Sequence, residues 1–178
     1  MSQAGISCEI IVSDIDENID GPAHKQVEAL AVRKAEAVRR QINGEAIIVA
    51  ADTLVSINGQ VLSKPTSKTD AFDMLKILQG QKHTVYTGVS IINISGAGET
   101  YSNFVDAADV HFRPLSNEEI EGYITTGEPF DKAGAYGAQG RGAVLISRIE
   151  GDFYTVMGLP ISRVCVELSK MGVNFWEC

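Results

Sequence analysis

The run Asp131-Lys132-Ala133-Gly134-Ala135-Tyr136-Gly137-Ala138-Gln139-Gly140-Arg141-Gly142 packs an acid, two cations, an amide and four glycines into twelve residues. A carboxylate such as Asp131 can hold a divalent metal, Lys132 can meet a phosphate, and the Gln139 amide can pair with the edge of a base. Glycine lets the backbone approach a ligand or take positive φ, at an entropic cost that a plain surface loop has no reason to carry. Taken alone, such a run reads equally well as a turn between strands. A second polar cluster, Ala51-Asp52-Thr53 followed by Ser63-Lys64-Pro65, favours a site. Asp52 follows the apolar run 46–50, which is short enough for a buried central strand. In open α/β sheets ligands bind beyond the carboxyl ends of strands, where the loops diverge. A carboxylate placed there can coordinate Mg²⁺ or take a proton from water, although a lone Asp-Thr more often caps a turn. Thr53 can hydrogen-bond a substrate or simply begin the next strand.

Lys64 lies where it can reach back over a hairpin toward Asp52; by itself it is a solvated surface charge. Lys34, inside an apolar-periodic helix, is either a second phosphate contact or a lysine whose stem covers apolar surface while its head stays wet. Asp14, Asp16 and Glu17 form an acidic loop suited to a metal and equally to a solvated turn. The three histidines, His24, His83 and His111, have no HxH or HExxH spacing and read as structural or surface residues. No P-loop, GxGxxG or GxSxG is present, so neither a dinucleotide site nor a serine hydrolase is indicated.

The elements that must carry these residues follow from periodicity. Apolar Val27, Leu30, Ala31, Ala35 and Val38 recur at helical spacing over residues 23–40. Residues 8–12 read as a short strand and 46–50 as a buried one. Asn58-Gly59 marks a tight hairpin between 53–57 and 60–62. Thr66 or Ser67 caps a helix with Ala71, Met74, Leu75 and Leu78 on one face and Gly80 after it. Two long strands are expected over 83–94 and 101–112. Ser116-Asn117-Glu118-Glu119 is a capping box that opens a helix through Ile124. Residues 143–149 and 154–157 read as strands, and Pro160 opens a last helix with Ile161, Val164, Cys165 and Leu168 on its buried side. The expectation is an α/β protein with a mixed sheet and helices packed around it.

Composition narrows the classes further. The formal charge of −8, from 23 acids against 15 bases, lacks the basic stripe that drives binding to nucleic-acid backbones or anionic membranes. A cleft with a few lysines and a cation can still accept a small phosphate against that global charge. No apolar run approaches the ~20 residues a membrane helix needs. The N-terminus has no basic and long apolar signal-peptide regions. Three widely spaced cysteines, Cys8, Cys165 and Cys178, with no CxxC, point to a reducing cytoplasm and to neither disulfides nor zinc.

Together, Ala51-Asp52-Thr53, Ser63-Lys64-Pro65, residues 131–137 with Gln139-Gly140, and Gly158-Leu159-Pro160 resemble the Maf family of nucleoside triphosphate pyrophosphatases over nearly the whole chain. The resemblance implies one domain over residues 1–178, with the α/β fold of the inosine-triphosphate pyrophosphatases: an elongated mixed sheet, flanking helices and two lobes around a central cleft. It implies cleavage of a nucleoside triphosphate between the α and β phosphates, with Mg²⁺ or Mn²⁺ as cofactor, and a homodimer. Asp52 matches the family's catalytic carboxylate, a general base and metal ligand. Glu17 and Asp131 are the further metal-ligand candidates, and Lys34, Lys64 and Lys132 match polar residues lining the cleft. Thr53 and Gln139 match positions tied to substrate choice and resemble the branch that acts on dTTP and UTP. Its relative acting on 7-methyl-GTP carries Asp-Gln and a Glu at these two places. A glutamine amide, both donor and acceptor, suits the O4/N3 edge of a pyrimidine.

One departure bears on activity. The family opens with a strand and a Ser-x-Ser-Pro-Arg-Arg loop, and neither has a counterpart in this sequence. Arginine forks are strong phosphate ligands, so weakened triphosphate binding or turnover is expected. The alternatives are a nucleotide-binding regulator of cell division with little turnover, or a 7-methyl-GTP pyrophosphatase.

Overall fold

A computed structural model describes residues 1, 5–174 and 176. Helix α1 (Ala23–Arg39) leads to strand β1 (Ala46–Ile57), β2 (Gln60–Leu62), helix α2 (Lys68–Leu78), and the long strands β3 (Lys82–Ser95) and β4 (Gly98–Phe112). Helix α3 (Asn117–Thr125), three short 3-10 turns, strand β5 (Ile146–Glu150) and helices α4 (Phe153–Val156) and α5 (Ile161–Lys170) complete the chain. The strands form one sheet in the order β2-β1-β3-β4-β5. Both of its outer pairs are antiparallel: Val55 faces Leu62 in the first, and Asp109 faces Glu150 in the second. The expected α/β class, a sheet with flanking helices, is what the chain adopts.

The chain divides into two compact units, and β1, β3 and β4 contribute residues to both. The first comprises Met1–Asp52, Thr87–Asp106 and Gly158–Cys178. In it, Val89, Ile91 and Phe104 pack with Val164 and Leu168 of α5, while Ala35 of α1 packs with Ile48 and Ile92. Helix α1 buries the stripe expected of it: Val27, Leu30, Ala31 and Ala35 all face the interior. It lies so close to β3 that a Cβ at Gly88 would stand 2.2 Å from the Val27 carbonyl oxygen. Only glycine permits that approach, and the approach fixes where α1 presents its other residues.

The second unit comprises Thr53–Tyr86 and Ala107–Met157. Leu75 and Leu78 of α2, Ile120 of α3, Val85 and Val110 form its core with Tyr136 and Leu145. Each fully buried Leu or Ile contributes roughly 1.5–3 kcal/mol of hydrophobic stabilisation. The local signals hold here. Asn58 and Gly59 turn the hairpin at φ 51° and 81°, the Ser67 hydroxyl accepts from the Asp70 N–H, and the capping box at Ser116 is complete.

Four expected elements differ, one of them the strand expected over 143–149: residues 143–145 belong to the 3-10 turn Gly140–Leu145 and the strand begins at Ile146. Residues 8–12 form no strand; they are mostly exposed, Ile10 at 89%, so β-prone side chains there find no neighbouring strand to pair with. Residues 154–157 are helical, because the Asp152 carboxylate accepts the Tyr154 N–H and caps a helical turn. The segments 46–50 and 53–57 are one continuous strand, which places Asp52 inside β1, where the sequence reading puts it in a loop after a strand. Its neighbour Thr53, β-branched, fits that extended backbone.

Candidate active site

Helix α1, with its apolar stripe turned to the sheet, carries Lys34 on a flank and holds it 19% exposed. The Lys34 ammonium donates to Asp52 Oδ1 at 2.6 Å and pairs with Glu17 Oε1 at 2.7 Å. Asp52 is only 10% exposed and Glu17 52%, so the cluster runs from a nearly buried carboxylate outward to solvent. Burial works against the Lys34 charge, but the hydrogen bonds to Asp52 and then Glu17 outweigh it and hold the ammonium above its ordinary pKa. Lys34 also borders a cavity of about 680 Å³ lined by Ser13, Val38, Ile48, Ala50 and Leu159. Lys34 is thus engaged with two carboxylates, a partnership that neither reading open for it anticipates. Asp14 and Asp16 stay in the exposed loop, where Asp16 accepts from the Asn18 backbone and side chain.

The second unit gathers Lys64, Asp131, Lys132 and Gln139 around the glycine-rich loop. The Ser63 carbonyl accepts from the Gly134 N–H at 3.0 Å and so ties the segment carrying Lys64 to that loop. Lys132 donates to both Asp131 oxygens at 3.0 and 3.2 Å. That hydrogen bond, with further help from the Lys132 and Lys64 charges, pulls the Asp131 carboxyl below its ordinary range. Gln139 is exposed and precedes the 3-10 turn Gly140–Leu145. Thr53, half-buried, belongs to this unit and is the residue after Asp52 in β1.

Two further features bear on the loop: His83, read from the sequence as structural or surface, is structural, and Glu128 was not singled out. His83 is buried at 2% exposure; its Nε2 is 2.8 Å from the Tyr136 hydroxyl, and its ring stands edge-on to Phe112 and Tyr136. Burial lowers its pKa to about 4, so it is a neutral core residue that braces the loop tyrosine. Glu128 is the second: its carboxylate accepts from the Tyr123 hydroxyl and from the Arg141 and Gly142 N–H groups, each at 2.9 Å. The Gly127-Glu128-Pro129 triplet before the loop was the available signal, an acid held by two conformationally special residues. His111 is at the surface beside Glu150. Cys8 and Cys165 are free thiols, and Cys178 lies outside the described residues.

Among the described residues no three of His, Cys, Asp or Glu converge as a metal cluster. The pair Glu17 and Asp52 does offer two hard oxygen donors around one positive charge. That donor set fits Mg²⁺, which takes one or two carboxylates and fills its other positions with water and phosphate oxygens. No helix among the described residues is long and apolar enough to cross a membrane.

The first unit carries a cation-bridged carboxylate pair and the second a lysine- and glycine-rich loop, residue types able to meet divalent cations and phosphate oxygens. The chain belongs to the Maf-like protein family, whose pattern matches residues 1–171. It is 44% identical over 169 residues to a dTTP/UTP pyrophosphatase of Clostridium novyi (strain NT), covering 93% of this chain and 87% of that protein. A protein of the same name from Bacillus anthracis (strain CDC 684 / NRRL 3495) is 42% identical over 173 residues, 96% of this chain and 88% of its own. Another, from Bacillus thuringiensis subsp. konkukian (strain 97-27), is 41% identical over 173 residues with the same two shares, 96% and 88%.

Proposed function

We propose that this chain is a nucleoside triphosphate pyrophosphatase that hydrolyses dTTP and UTP between the α and β phosphates, releasing the monophosphate and pyrophosphate. The observation that carries the proposal is the nearly buried Asp52 carboxylate held by Lys34 beside Glu17, in a chain whose near-full-length relatives bear that activity in their names. Asp52 is the general base: it orients the attacking water and takes its proton. Lys34 holds Asp52 in place through their 2.6 Å contact and aims it. Glu17 and Asp52 would hold a divalent cation, and Asp131 is the metal-ligand candidate of the second unit. When bound, that cation offsets the charge that develops on the phosphates. Lys64 and Lys132 meet phosphate oxygens, and Thr53 and Gln139 discriminate the base, the Gln139 amide reading a pyrimidine edge through one donor and one acceptor.

The test is pyrophosphate release by the purified chain with Mg²⁺ across dTTP, UTP, CTP, GTP and 7-methyl-GTP. The expected result is preferential turnover of dTTP and UTP that falls by about 10²–10⁴-fold in Asp52→Asn, the usual worth of a general base. Preference for 7-methyl-GTP, or full activity in Asp52→Asn, would overturn it. Nucleotide binding with no turnover would favour a regulatory binding protein. The proposal extends to a homodimer in the cytoplasm, of which the dimer is checked by light scattering on the eluting protein.

A further inference from the structure

We infer that Glu128 is the positioning residue of the glycine-rich loop, and that through the loop it sets the Gln139 amide for base selection; the second clause rests on the pyrimidine reading above. Gln139 occupies the N-cap position of the 3-10 turn Gly140–Leu145, yet its side chain makes no capping hydrogen bond. The capping is done by Glu128, from a separate turn eleven residues upstream. Its Oε2 accepts the Arg141 N–H and its Oε1 the Gly142 N–H, both at 2.9 Å. Two orphan donors of the turn are thereby satisfied without spending the Gln139 amide.

The same carboxylate fixes the other end of the loop. Glu128 Oε1 accepts from the Tyr123 hydroxyl, whose oxygen accepts the Gly137 N–H at 3.2 Å. One carboxylate and one phenol therefore clamp both Gly137 and Gly142, with Gln139 between them. The glycines make the clamp sterically possible. A Cβ at Gly140, where φ is +70°, would lie 2.8 Å from Glu128 Oε2, and one at Gly142 would lie 2.7 Å from the Tyr123 oxygen. Glu128 works ionised: burial opposes its charge, but the Gly142, Arg141 and Tyr123 donors outweigh that and keep its carboxyl below the ordinary range. Hydrogen bonds to a charged acceptor are stronger than neutral ones, so this anchor holds more firmly than a glutamine would.

Glu128→Gln keeps the size and replaces a two-oxygen acceptor by one carbonyl and a donor amide, which faces an N–H with another N–H. Tyr123→Phe keeps the ring and removes only the bridging hydroxyl. Two readouts are taken on each, beside the unmodified protein. The first, without nucleotide, is amide hydrogen exchange at Arg141 and Gly142, expected to speed up by about tenfold or more in Glu128→Gln, the loss of one charge-assisted bond. The second is steady-state turnover. KM for dTTP and UTP rises by more than kcat falls, and the preference for them over GTP drops by about tenfold, with Tyr123→Phe shifting the same way by less. Unchanged exchange in both variants overturns the anchor. Faster exchange with an intact dTTP-over-GTP preference overturns its role in selection. If the unmodified protein turns over neither dTTP nor UTP, the proposed function and the selection role fall together, while hydrogen exchange still decides whether Glu128 holds the loop.

Discussion

Removing the Lys34 ammonium tests the cluster at its centre. In Lys34→Met the stem volume survives and the donor to Asp52 and Glu17 disappears. The Lys34–Asp52 contact is 2.6 Å between side chains 19% and 10% exposed, too sheltered to be treated as a surface pair and too wet for a fully buried one. A charged hydrogen bond of this kind contributes about 1.5–3 kcal/mol, so a coupling of about 2 kcal/mol is expected from the cycle Lys34→Met, Asp52→Asn and the double variant. The internal control is Lys25 and Glu28, whose side chains are 65% and 41% exposed. Their coupling should lie within the about 0–1 kcal/mol of exposed pairs. Unfolding free energies come from urea titration followed by circular dichroism. The sign with pH is determined by the direction of the shift. Folding raises the Lys34 pKa above 10.5, so the stabilisation is fully present below pH 10.5 and is lost as pH rises through the folded value. The gap between the native protein and Lys34→Met is therefore flat through neutral pH and closes only in strong alkali. A coupling no larger than that of Lys25–Glu28 would refute the reasoning, since the ammonium would then not be what holds Asp52.

Gly142→Ala puts a Cβ 2.3 Å from the Gly137 carbonyl oxygen, so the loop must open; it should cost about 1–3 kcal/mol in urea unfolding and most of the dTTP turnover. His83, at about pKa 4 folded against an ordinary 6.5, contributes stability that is fully present above pH 6.5 and is lost as pH falls toward 4. The loss amounts to about 3 kcal/mol from 1.36 kcal/mol per unit, and in His83→Gln that part of the acid slope should vanish. Ser116→Ala breaks the capping box that starts α3, the helix that carries Tyr123, and should lower the unfolding free energy by about 1 kcal/mol.

What could be read in the sequence follows from how far each residue's signal extends. Ser116 and Glu119 satisfy each other's backbone across three positions, and Asn58-Gly59 needs only its own φ angles; both are as expected. The buried stripe of α1 is likewise written in its own spacing. Residues 154–157 mislead because Tyr and Thr favour strands by packing against neighbours that are absent here, while one capping contact from Asp152 suffices for a helical turn. Asp52 could be singled out as a candidate but not placed mid-strand, because an acid inside an extended segment is tolerated only where something pairs with it.

The thing that pairs with it explains the remainder. Lys34 is eighteen positions from Asp52 and on a different element, and nothing in the local pattern of α1 separates a lysine bound for a carboxylate from one bound for water. The choice is made by the glycine at 88, which lets α1 press onto β3 and so decides which carboxylates the flank of the helix meets. Glu128 has the same logic. Its donors at 141 and 142 are backbone groups, which carry no residue-type signal, and its reach depends on glycines whose sequence reading is only flexibility. In both clusters glycine acts by close approach: the absent side chain lets another element's carbonyl or carboxylate in. A glycine-rich stretch should therefore be read together with the acids and cations that can occupy the space it leaves, and here those are Glu128 at Gly140 and the Lys132 stem at Gly137.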